Sequence, residues 1–151
     1  MCVLVKELAK KRALNMGIES DSNGKKEYAG SIQIVDPVDI YRRMAAGDTF
    51  VVNVVTAWCP DCTERQSQYI DGFEKKMQLH GVDVLQVVVQ IKKGDFISSE
   101  HERVTTQFGG PGYPRTVLIK HGDVVDQDNV EIITEDTLSA LATRFAQIIA
   151  L

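Results

Sequence analysis

The run Phe50-Val51-Val52-Asn53-Val54-Val55-Thr56 constrains this chain more than any other stretch. It is short and β-branched, and it does not alternate apolar with polar residues, which is the pattern of a strand buried on both faces. Such a strand needs other structure above and below it, so it belongs in the middle of a sheet covered by helices. Directly after it come Trp58-Cys59-Pro60-Asp61-Cys62. A segment with Tyr69, Ile70, Phe73 and Met77 at helical spacing follows and stops at Gly81. A pair of cysteines spaced C-x-x-C at a strand-to-helix junction is the setting for thiol–disulfide chemistry.

The rest of the chain reads as alternating elements. Val3 to Met16 forms a helix with Leu4, Val5, Leu8 and Ala9 on one side, and residues 19–30 form a polar, flexible loop around Asn23-Gly24. Ser31 to Val35 is a short strand, and Asp36-Pro37 caps and opens a helix carrying Ile40, Tyr41, Met44 and Ala45. A single helix is expected from the cysteines to about Leu79, with Gly72 inside it as a mild weakness. Asp83 to Ile91 is a second buried strand, ended by Lys92-Lys93-Gly94-Asp95. Ser99 and Glu102 are spaced as a capping box for a helix to about Phe108. After the Gly-Gly-Pro-Gly loop at 109–112, Thr116 to Lys120 and the residues from Asp123 form a hairpin turned at His121-Gly122. Glu135 to Ile149 is a closing helix. Strands separated by single helices imply parallel pairing, with the hairpin as an antiparallel edge.

The junction also assigns roles to the thiols. Cys59 sits where the helix begins, with Pro60 at the first helical position. Unpaired backbone N–H groups there favour a thiolate, the attacking species. Cys62 lies a turn further in and is expected to be the more buried, resolving thiol. Zinc is not expected, because there is no second C-x-x-C and His80, His101 and His121 form no ligand-like pair. Cys2 is left over as an incidental thiol.

Composition narrows the remaining choices. At 151 residues, 44% hydrophobic and 25% charged, the chain suits one globular domain. A net charge of −4 with no basic, aromatic-interleaved stripe gives no reason to expect nucleic acid as a partner. No apolar run approaches the ~20 residues of a membrane helix, so no membrane is expected. The start shows no signal-peptide core, and three cysteines are too few for a secreted disulfide framework, so the expectation is a cytoplasmic protein.

At this point the residues resemble the thioredoxin superfamily over roughly 31–151. The likeness rests on strand-W-C-x-x-C-helix at 50–62, on Gly112-Tyr113-Pro114 opening a strand about fifty residues later, and on the final hairpin and helix. It implies an α/β, thioredoxin-like fold: a mixed central sheet with helices on both faces, here with an extra N-terminal helix. Residues 1–30 would be that helix and a flexible loop, and 31–151 the thioredoxin-like domain. It implies Cys59 and Cys62 as the catalytic pair, with Trp58, Pro60, Asp61, Tyr113 and Pro114 receiving the substrate. Pro114 would follow a cis bond, and Tyr113 would pair with a substrate peptide as an added strand. The implied activity is a disulfide reductase acting on protein substrates, reset by an external reductant such as a thioredoxin reductase, with no cofactor or metal. The Pro-Asp dipeptide resembles small thioredoxin-related proteins with W-C-P-D-C. Alternatives are a binding or assembly module without redox turnover, and a glutathione-linked, glutaredoxin-like enzyme.

Residues near the motif set further expectations. Asn53 stands where thioredoxins have a buried aspartate, and an amide does not accept a proton at neutral pH. Water or Asp61 would have to serve instead. Arg115 is expected to face solvent, and Pro111 to be a simple turn residue.

Overall fold

The computed structural model describes residues 32–151. The expected helix from Val3 to Met16, the loop 19–30, and Cys2 lie outside the described residues. The elements are β1 (Gln33–Ile34), α1 (Pro37–Ala45), β2 (Phe50–Thr56), α2 (Ile70–Gln78), β3 (Asp83–Lys92) and β4 (Asp95–Phe96). They continue with α3 (Ser99–Gln107), β5 (Arg115–Lys120), β6 (Asp123–Val130) and α4 (Glu135–Ala150). The strand order is β1-β3-β2-β5-β6, with β4 paired to the outer part of β3. β1, β3 and β2 run parallel, and β5 and β6 add the antiparallel edge.

β2 is central, and all of its residues are buried. Val51 faces a core built with Ile70, Phe73 and Met77 of α2 and Leu138, Leu141 and Phe145 of α4. Phe50, Val52 and Val54 face the opposite core, with Ile40 of α1 and Val104 of α3. The unalternating run is therefore explained: each face of the strand has its own helical layer.

Within this apolar strand lies one polar row. Asn53 stands opposite Gln86 on β3 and Thr116 on β5, and Thr116 stands opposite Asn129 on β6. The Asn53 amide donates to Gln86 Oε1 at 3.0 Å, and Thr116 Oγ1 donates to Asn53 Oδ1 at 3.0 Å. Asn129 donates to the Thr116 carbonyl at 2.9 Å. From above, Gln66 closes a two-bond amide pair with Asn53, at 2.7 and 3.3 Å.

Several local expectations are corrected. The helix after the cysteines is not continuous: Asp61–Arg65 is a π-helical segment and Gln66–Gln68 a 3-10 turn before α2 begins. The change of winding turns the buried Gln66 amide onto Asn53. The cap of α3 is Ser98, not Ser99; its Oγ accepts the His101 N–H at 3.3 Å. β4 was not expected, since Lys92-Lys93-Gly94-Asp95 reads as a stop, yet the chain folds back as a short antiparallel pair.

Two glycines give opposite expectations. Gly72 lies exposed within α2, with open space where a Cβ would project. Gly122 has φ +85, and its Cβ would meet the Met44 carbonyl oxygen at 2.3 Å. Gly72→Ala should stabilise the protein by about 0.5–1 kcal/mol and Gly122→Ala should destabilise it by about 1–3 kcal/mol. Urea unfolding midpoints of the two variants check this.

Candidate active site

The site is built where β2 ends. Its register with β3 shifts there: Val55 stands opposite Val88, but Thr56 stands opposite Gln90. The extra residue in β3 is a bulge that re-aims a side chain. Gln90 accepts the Ala57 N–H on its backbone carbonyl at 2.9 Å. Its side-chain carbonyl accepts from Trp58 Nε1 and from the Gly94 N–H, each at 3.0 Å. Trp58 is thereby fixed at its nitrogen. Its ring meets Tyr113 edge-on, centroids 6.1 Å apart at 88°, and the Lys93 ammonium lies 5.2 Å from its centroid.

Pro60 has helical dihedrals, φ −62 and ψ −30, and is exposed. The Cys59 carbonyl accepts the N–H groups of both Cys62 and Thr63 at 3.0 Å. This tight turn brings the two cysteines into one apolar cluster with Val55, Trp58, Val88 and Tyr113. Both are free thiols; Cys59 is 8% exposed and Cys62 2%. The Cys59 thiol donates to the Tyr113 carbonyl at 3.7 Å. Tyr113–Pro114 is a cis peptide bond, and Pro114 is buried. Burial pushes the Cys62 thiol far above its ordinary range, and the hydrogen bond from the Thr56 backbone only partly opposes this.

The charged neighbours differ from expectation. Asp61 is tied to Arg65, one turn on, at 2.6 Å, so its carboxylate is directed to that guanidinium. Asn53 is buried with its amide groups engaged by Gln66, Gln86 and Thr116. Arg115 does not face solvent: it is 6% exposed and donates to the carbonyls of Gln127 and Pro111, each at 2.9 Å. Pro111 is thus more than a turn residue, since its carbonyl anchors that guanidinium. Among the described residues no group of three or more His, Cys, Asp or Glu side chains is placed to hold a metal ion, and no helix is long and apolar enough to cross a membrane.

No family model matches the sequence, and no curated protein sequence matches it significantly. Solved structures do match. Thioredoxin from Fasciola hepatica aligns with a TM-score of 0.56 at 20% identity, over 76% of this chain and 99% of that one. Oxidised thioredoxin from Plasmodium falciparum aligns at 0.55 and 18% identity, over 77% of this chain and 99% of that one. Thioredoxin f2 in complex with ferredoxin:thioredoxin reductase aligns at 0.52 and 17% identity, over 78% of this chain and 97% of that one. The chain has the thioredoxin fold. Within it the C-x-x-C pair lies at the end of the central strand.

Reading the sequence alone missed Gln90, Lys93, Arg65, Gln66 and Gln86. Arg65 was recoverable from its i,i+4 spacing to Asp61. Gln90 was not, because its role depends on a bulge between strands about thirty-five residues apart in sequence. In the thioredoxin fold of this chain, both cysteines sit in the same cluster as Trp58 and Tyr113.

The thiols should differ in reactivity. With Cys2→Ser as background, iodoacetamide should label Cys59 of the reduced protein at least about tenfold faster than Cys62 at neutral pH. Peptide mass spectrometry reads the ratio, and equal rates would contradict the burial of Cys62. Stability should follow the same group. The native state keeps the Cys62 proton that an unfolded thiol releases near its ordinary pKa of 9.0. The contribution is therefore complete below that pH and is lost as pH rises above it. Urea midpoints of the reduced protein from pH 7 to pH 10 should fall more steeply than those of Cys62→Ala.

Proposed function

We propose that this protein is a thiol–disulfide oxidoreductase that reduces disulfides in protein substrates. The observation that carries the reading is a pair of thiols of unequal burial in one cluster: Cys59, 8% exposed and beside the Tyr113 carbonyl at 3.7 Å, and Cys62, 2% exposed. In the first step the Cys59 thiolate attacks one sulfur of the substrate disulfide. The substrate S–S bond breaks, and the departing sulfur takes up a proton. Cys62 then gives up its proton and attacks the Cys59 sulfur. The second substrate sulfur leaves and is protonated, and the Cys59–Cys62 disulfide holds the two-electron oxidation.

The surroundings support division of labour. Trp58, locked by Gln90, offers a fixed apolar wall beside Cys59. Pro60 is exposed next to it, and Tyr113 offers backbone for an extended peptide. Asp61 adds no isolated negative charge beside the sulfur, because Arg65 compensates it. Asn53 accepts no proton, so the proton of Cys62 passes to solvent or to the leaving sulfur, which makes resolution the slower half. An external reductant, such as a thioredoxin reductase, returns the pair to the reduced form; a reductase complex of a structurally similar thioredoxin supports that partner class. A cytoplasmic setting, where thiols rest reduced, fits the direction. Residues 1–30 would stand outside this 31–151 domain.

The test is a trap. Cys62→Ser should accumulate a covalent adduct with a disulfide-containing protein through Cys59, and Cys59→Ser should accumulate none. Adducts are read on non-reducing gels and by mass spectrometry. Equal trapping by both variants would sink the assignment of attacker and resolver, and full biological activity of the double variant would favour a binding module.

A further inference from the structure

Arg115 opens β5 immediately after Pro114, and its side chain folds back under the preceding loop. One terminal nitrogen, Nη2, donates to the Pro111 carbonyl at 2.9 Å, and the other, Nη1, to the Gln127 carbonyl on β6 at 2.9 Å. A single guanidinium thus joins the glycine-rich loop to the neighbouring strand. No strong ion pair accounts for its burial. Among the described residues its one carboxylate neighbour is Asp128, 3.9 Å away and 94% exposed, where water screens the attraction. The carbonyl dipoles hold the cation instead.

The loop is shaped around this group. Gly109 has φ +117, and a Cβ there would stand 2.5 Å from Arg115 Nη1. Gly112 has φ +123, and its Cβ would stand 3.2 Å from Nη2. Only glycine leaves the room and adopts that backbone readily. The far end of the loop is tied to α3, where the Gly110 N–H donates to the Thr105 carbonyl at 2.9 Å. The next residue after this clamped loop is Tyr113, whose carbonyl meets Cys59.

We propose that Arg115 is a positioning residue: it clamps the 109–112 loop so that the Tyr113 backbone stays in register with Cys59 and with an extended protein substrate. The substrate half rests on the reductase reading above. Lysine has a single nitrogen and cannot span both carbonyls, and methionine offers no donor at all. Glycine 109 offers an independent handle, because a methyl group there displaces the guanidinium without removing it.

The test compares Arg115→Met, Arg115→Lys and Gly109→Ala, all with Cys2→Ser, by two measurements. The first is amide hydrogen exchange of residues 109–113 by mass spectrometry. The second is KM and kcat for reduction of insulin disulfides with dithiothreitol as the electron source. Arg115→Met and Gly109→Ala should exchange about tenfold faster, raise KM about tenfold and move kcat less than about twofold, with Arg115→Lys between them and the parent. Unchanged exchange in both Arg115→Met and Gly109→Ala overturns the clamp. Faster exchange with unchanged KM, or a loss confined to kcat, overturns the substrate half. If the parent protein reduces no insulin, the reductase reading fails, while the exchange rates still decide the clamp. If Arg115→Met does not fold, Arg115→Lys and Gly109→Ala decide both.

Discussion

The register between β2 and β5 is the constraint on which the site depends. These strands are antiparallel, so the end of β2 lies beside the start of β5, with Val54 opposite Arg115 and Asn53 opposite Thr116. That pairing carries the chain from Thr56 towards Cys59 on one side and brings Tyr113-Pro114 in on the other. A slip of one residue would turn every side chain of β2 to the wrong face. It would put Asn53 into the apolar core facing α1 and α3, and would separate Cys59 from Tyr113.

The polar row protects that register. A buried amide costs free energy unless it is bonded, and both amide groups of Asn53 find their partners, Gln66, Gln86 Oε1 and Thr116, only when the strands are aligned. The row lies on the face covered by α2 and α4, between the packed apolar core and the cysteine cluster. It is neutral: the amides tie the strands to one another and to Gln66 without placing an ionisable group beneath the cysteines. Cys62 lies in apolar surroundings that favour its protonated form.

Much of the fold was legible in advance. The run from Phe50 to Thr56 implied a doubly covered strand, and two separate cores do cover it. The His121-Gly122 turn was legible because it needs positive φ at both residues, 54 and 85, which suits a tight hairpin. The break in the helix after Cys62 was not legible. It accompanies the bond between Gln66 and Asn53, a partner thirteen residues away with no local signature. Arg115 was misjudged for a similar reason. An arginine after a proline looks solvent-bound until the carbonyls of Pro111 and Gln127 are seen to converge on it.

By itself, then, the sequence determined the kind of sheet, the C-x-x-C pair at its centre and which cysteine lies deeper. Those follow from local periodicity and from spacing along one segment of chain. The tertiary structure alone decided what surrounds the pair: Gln90 on Trp58, Arg65 on Asp61, the amide row beneath and the guanidinium under the glycine loop. Each of these joins a side chain to a partner placed by winding, register or a bulge, and a one-dimensional pattern carries no record of such distances.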